Sequence, residues 1–179
     1  VERVVEFTRK SRGQALIHVS TCYVTGDRDG TVPEDPDIID WCPGGDDLAA
    51  GSFDFREEVA GCLRDIRLTE DDAESTHLKS RFIEAARDRL SALDSDPDDE
   101  RALKEATDAE RKRWMDGRMV DRGMERAQHW GWPNTYTFTK SLGEQVVANS
   151  GLDGWCILRP SVVESSVSFP FPGWNDGIN

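Results

Sequence analysis

The chain has 179 residues, enough for one domain with its own core, and it is polar, with 37% hydrophobic and 32% charged residues. No apolar run approaches the roughly 20 residues of a membrane span. The net charge of −13 argues against binding a nucleic-acid backbone, which needs a basic surface. The acid is uneven: residues 27–125 hold 29 of the 35 acidic and 15 of the 22 basic residues, a local net of −14. That stretch reads as a solvated surface insertion serving as a lid or a structural element. Its acidity speaks against anionic lipid, although apolar helices within it leave peripheral membrane contact open. No signal peptide is visible and the chain opens on Val1, which suggests a processed or truncated protein. Cys22, Cys42, Cys62 and Cys156 form no C-x-x-C pair. His18, His77 and His129 stand at no metal-ligand spacing. We expect reduced thiols, no metal and a cytoplasmic location.

In chain order, residues 1–11 carry Val1, Val4, Val5 and Thr8 at helical spacing, with Gly13 as the stop. Residues 14–21 are apolar and β-branched and read as a buried strand, with His18 packed or at an edge. Residues 27–53 are rich in Asp, Gly and Pro and read as loop. A helix is expected over 54–68 through Val59, Cys62, Leu63 and Ile66. A stronger one spans 75–93, with Leu78, Phe82, Ala85, Ala86, Leu90 and Leu93 in one stripe. Residues 99–130 read as largely helical with breaks at Gly117 and Gly123. Gly131 and Pro133 punctuate. Asn134 or Thr135 then caps a helix running to about Asn149, with Leu142, Val146 and Val147 facing inward. Residues 155–158 read as a second short buried strand, which Pro160 ends. The tail to Trp174 is loop-like and aromatic.

Tyr136 and Lys140 stand at i and i+4 on that last helix, so both side chains can reach one reacting atom. A phenol titrates near pH ~10, and a neighbouring cation moves such a group toward useful acid–base chemistry. The chain has only two tyrosines. The pair alone reads more readily as an exposed helix face; its surroundings favour chemistry. In a parallel α/β sheet, ligands bind at the carboxyl ends of the strands. Ser20 and Thr21 end the first strand, and Arg159, Pro160 and Ser161 follow the second. A hydroxyl, a phenol and an ammonium converging there fit carbonyl reduction with a hydride from a cofactor. Arg159 reads as a structural charge paired with a carboxylate, and Glu144 as a helix-surface residue. Phe171 and Trp174 fit an acyl channel or packing against the sheet.

Residues 18–26 (HVSTCYVTG), Tyr136-x-x-x-Lys140 and Arg159-Pro160-Ser161 resemble successive motifs of the extended short-chain dehydrogenases/reductases. More narrowly, residues 132–144 (WPNTYTFTKSLGE), 159–166 (RPSVVESS) and 170–174 (PFPGW) resemble bacterial fatty acyl-CoA reductases, to which the plant "male sterility" proteins are related. The resemblance covers 1–26 and about 118–179.

The resemblance implies an α/β fold: the C-terminal part of a Rossmann-like doubly wound parallel sheet, with a long, mainly helical acidic insertion. Its parts would be core over 1–26, insertion over 27–117, core over 118–166 and the start of a substrate region over 167–179. It implies Tyr136 as proton donor and Lys140 as the cation that activates it and bonds the nicotinamide ribose. Thr21 would be the catalytic hydroxyl, with Ser20 as fallback and as a cofactor contact. Pro160 and Ser161 would border the nicotinamide. The cofactor would be NADPH, and the substrate a long-chain acyl-CoA reduced to aldehyde or alcohol. Oligomeric state is not readable. Thr25 departs in a minor way from residues common in relatives.

No G-x-x-G-x-x-G occurs, and Gly44-Gly45 lie in an acidic loop that would repel phosphate. The chain therefore reads as an internal fragment, inactive alone. Two alternatives stand beside this reading: another extended reductase or epimerase acting on a sugar nucleotide or carrier-bound thioester, and a non-catalytic remnant.

Overall fold

A computed structural model of the chain describes residues 1–11, 15–28, 30–32, 34, 37–45 and 52–175. The helix stop at Gly13, the first residue of the expected strand at Gln14 and part of the 27–53 loop lie outside them. The elements are α1 (Glu2–Lys10), β1 (Leu16–Val19), a 3-10 turn (Cys22–Thr25), α2 (Phe55–Ala73), α3 (Thr76–Ala92), α4 (Glu100–His129), α5 (Thr135–Ala148) and β2 (Trp155–Leu158). They fall into two compact units, residues 1–39 with 136–179, and residues 40–135.

In the first unit β1 and β2 pair in parallel, with Leu16 opposite Trp155 and Val19 opposite Leu158. The ladder runs on past the strands: Ser20 N–H donates to Leu158 O (2.8 Å) and Cys22 N–H to Pro160 O (3.0 Å). Helix α5 approaches β1 and α1 through Gly143. A Cβ built there would lie 3.2 Å from Val1 Cγ2 and 3.5 Å from His18 Nε2, so a hydrogen at this position lets the elements close up. Leu142 and Val147 are buried, while Val146 is half-buried.

Both strands were expected to be buried. Instead burial alternates along each. Leu16 and His18 of β1 are half-covered, while Ile17 (63% exposed) and Val19 (56%) face outward. Period-two alternation puts successive side chains on opposite faces, so only one face of this pair is covered among the described residues.

In the second unit α4 packs against both α2 and α3. Each helix starts on a side-chain cap: Asp54 accepts from Arg56 N (2.8 Å), Ser75 from Leu78 N (3.4 Å) and Asp99 from Ala102 N (2.8 Å). The expected breaks at Gly117 and Gly123 do not occur, and α4 runs unbroken for 30 residues. Glycine lowers helix stability by only about 1 kcal/mol, which contacts such as the Phe82–Trp114 pair (5.8 Å between centroids) offset. On α3 the buried stripe is Phe82, Ala86 and Leu90, but Ala85 and Leu93 are exposed.

The stripe expected on α2 is rotated. Leu63 and Ile66 are exposed, and the helix buries Phe55, Glu58, Gly61, Thr69 and Ala73 instead. The cause is Arg126 of α4, which donates to Asp65 Oδ2 (2.6 Å) and Glu58 Oε1 (2.8 Å) and draws the polar side of α2 inward. Burial opposes the Arg126 charge, but the hydrogen bonds to Asp65 and Glu58 outweigh it and shift its pKa upward. Nearby, Trp132 (1% exposed) meets Trp41 and Phe53 edge-on, so the residue between the punctuating Gly131 and Pro133 is a packing centre.

Candidate functional site

The expected site residues all lie in the first unit, on α5 and beyond the carboxyl ends of β1 and β2. Tyr136 sits in the first turn of α5 and is 55% exposed. Lys140, one turn on, holds its ammonium 5.9 Å from the centre of the Tyr136 ring, within the ~6 Å range of a cation–π contact. The same ammonium donates to Val19 O at 3.1 Å. An ammonium has three N–H donors. This bond ties one of them to the last residue of β1 and orients the group without consuming it.

Ser20 and Thr21 are both buried (each 4% exposed). They end differently. Thr21 Oγ1 accepts from Tyr23 N (3.3 Å) and caps the 3-10 turn. Ser20 Oγ makes no hydrogen bond among the described residues. The turn after β2 lies directly alongside, because Cys22 N–H bonds the Pro160 carbonyl. Pro160 is half-buried and Ser161 is exposed just beyond it. Lys140 is thus joined to Tyr136 and to the end of β1, and the Ser20–Thr21 segment to Pro160.

Two residues carry more than their sequence suggests. Glu144, read as a surface residue, is 1% exposed. It takes a forked grip from Arg159, with Nε to Oε1 at 3.0 Å and Nη2 to Oε2 at 2.6 Å. The expected carboxylate partner of Arg159 is therefore one helical turn beyond Lys140. The signal was present: Glu144 falls amid Ser141, Leu142, Gln145 and Val147, all on the buried side of α5. His18 is the second. Its Nε2 is buried without a hydrogen bond among the described residues. Burial first, and then the Lys140 ammonium, hold its pKa below the ordinary imidazole value, with Glu144 opposing.

Along β2 an open cleft of about 450 Å³ is lined by Glu34, Ile38 and residues 155–159. Among the described residues no group of three His, Cys, Asp or Glu side chains is arranged to hold a metal ion. None of their helices is long and apolar enough to cross a membrane.

A parallel strand pair with a helix packed on one face, and polar groups gathered past the strand ends, makes this a mixed α/β chain. Its family is an NAD-binding domain: the family model described as male sterility protein matches residues 1–179, and the chain belongs to that family. Among curated relatives, the alcohol-forming fatty acyl-CoA reductase of Simmondsia chinensis is 30% identical over 98% of this chain and 28% of its own length. Fatty acyl-CoA reductase 8 of Arabidopsis thaliana is 32% identical with the same two coverages. The chloroplastic fatty acyl-CoA reductase 2 of that plant is 33% identical over 96% of this chain and 22% of its own length. The chain thus spans under a third of the length of these relatives.

Proposed function

We propose that the protein carrying this chain reduces a long-chain fatty acyl-CoA thioester with NADPH, giving a fatty aldehyde or, after a second round, a fatty alcohol. In this reading residues 1–26 and 118–166 belong to a Rossmann-like doubly wound sheet and residues 27–117 form its helical insertion. Residues 167–179 begin the substrate region. The observation that carries the reading is the Lys140 ammonium, held between the Tyr136 ring and Val19 O at the carboxyl end of a parallel strand.

The residues present suit the ribose end of a nicotinamide cofactor. Lys140 has N–H groups beyond the one on Val19 O, and Tyr136 and Ser161 bring exposed hydroxyls. The sequence has no glycine-rich turn for the pyrophosphate, so the fit is to that end alone. The cofactor, when bound, supplies the hydride.

Tyr136 gives its proton to the carbonyl oxygen. Thr21 holds that oxygen by hydrogen bond, with Ser20 as the alternative hydroxyl. Lys140 activates the phenol and binds the ribose, and Pro160 and Ser161 border the nicotinamide. One hydride and one proton turn the thioester into aldehyde and free thiol. A cytoplasmic site of action belongs to the same proposal.

The test uses the full-length protein that carries these residues. NADPH absorbance is followed with a long-chain acyl-CoA and, separately, with a UDP-sugar. We expect oxidation with the acyl-CoA, and a loss of about 100-fold or more in kcat for Tyr136→Phe, the scale of a missing general acid. Full activity in the variant would remove Tyr136 from the mechanism. Turnover of the UDP-sugar with none of acyl-CoA would overturn the substrate.

A further inference from the structure

We propose that the Glu144–Arg159 ion pair is a positioning device that keeps the Tyr136–Lys140 helix in register with the turn at Pro160 and Ser161. The proposal rests on the reading of those residues as the reaction site. Glu144 is a carboxylate on the buried face of α5, with its side chain 2% exposed. Burying an ion pair brings little net stability, and an apolar pair of similar volume serves packing as well or better. What the pair supplies is geometry. Arg159 grips both carboxylate oxygens, with Nε also 3.2 Å from Oε2. A fork on a planar carboxylate fixes distance and rotation together, which a lysine's point charge does not.

The placement explains what is fixed. Helix α5 is attached to the strand ends at two points one turn apart. Lys140 reaches Val19 O on β1, and Glu144 reaches Arg159 after β2. The strand ends are themselves joined by Ser20 N–H on Leu158 O and Cys22 N–H on Pro160 O. With both attachments, α5 can neither slide nor rotate against the strands. With the second one loosened, the Lys140 bond becomes a pivot, and Tyr136 moves relative to Pro160 and Ser161. Displacements near 1 Å cost about 100-fold in well-oriented reactions.

The test is Arg159→Lys in the full-length protein, which keeps the charge and loses the fork. We expect kcat to fall about tenfold or more, with the acyl-CoA KM within roughly twofold and the folded content unchanged. A lowered melting temperature with kcat per folded enzyme unaltered would overturn the proposal, leaving a plain structural staple. Should Arg159→Lys fail to fold, Glu144→Asp gives the same readout, because it keeps the charge and draws it back by one methylene. If the unaltered protein reduces no acyl-CoA, the functional reading fails, and the pair is judged by amide exchange. Faster exchange at Cys22 and in the first turn of α5 in Arg159→Lys supports positioning, and unchanged exchange overturns it.

Discussion

His18 is a histidine whose protonation folding disfavours. It lies on the covered side of β1 against Gly143, and its Nε2 is buried without a hydrogen bond among the described residues. Desolvation and the nearby Lys140 ammonium lower its pKa from 6.5, the value it regains on unfolding. The unfolded chain therefore binds this proton at a pH where the folded chain does not. Below pH 6.5 the group costs stability, and the loss grows until the lower folded value is passed. We expect the unaltered protein to lose more thermal stability between pH 7.5 and 5 than His18→Gln. Thermal unfolding across that range checks it, and parallel pH profiles for the two proteins would refute it. In burial Tyr136 is the contrasting case, 55% exposed.

At the scale of elements, the helices show where sequence periodicity suffices and where it does not. The range and inward face of α5 were legible, since Leu142 and Val146 stand at i and i+4, and Leu142 and Val147 are buried with Val146 half-buried. So was β2, bounded by Gly154 and Pro160. The inward side of α2 was not. Leu63 and Ile66 suggested one face, but Arg126, 61 residues beyond Asp65 in the chain, selects another. No local pattern encodes so distant a partner. Which carboxylate Arg159 takes was hidden in the same way, because Glu144 lies 15 residues away across a strand. That Tyr136 and Lys140 share one side of α5 was legible from their i, i+4 spacing, and the bond from Lys140 to Val19 O was not.

Arg126 also makes the element scale testable. It bridges Glu58 and Asp65, whose side chains are 8% and 17% exposed. Arg126→Met leaves two carboxylates close together and without their cation. We expect a loss of about 2 kcal/mol, less than the ~3–5 of a fully buried pair because Arg126 itself is partly exposed. Gly61→Ala should cost less, since its Cβ would stand 2.7 Å from Arg126 Nη1 and displace the guanidinium, while alanine gains about 1 kcal/mol over glycine within a helix. Urea unfolding measures both. A change below roughly 0.5 kcal/mol in Arg126→Met would class the triad with ordinary surface ion pairs.

For the molecule as a whole, the two faces of the strand pair are the unresolved account. The sequence of β1, Leu16-Ile17-His18-Val19, and that of β2 are apolar on both sides, the pattern of parallel strands covered on both faces. Yet Ile17, Val19 and Leu158 are half or more exposed. The tail adds Val163, Val167 and Phe169, each more than 70% exposed. An apolar face on a pair of strands that no third strand joins among the described residues is a template for association. The overall charge of −13 opposes it, but most of that charge lies in residues 27–125 and leaves the strand-bearing remainder almost neutral. Residues 1–179 expressed alone are therefore expected to self-associate as concentration rises and to bind a hydrophobic dye. Val19→Lys combined with Leu158→Lys puts two charges on the bare face and should reduce both. Light scattering with dye titration decides. A monodisperse monomer that binds no dye would mean that the strand face is covered by other parts of this same chain, and the apolar pattern on both sides of β1 and β2 would then be satisfied within these 179 residues.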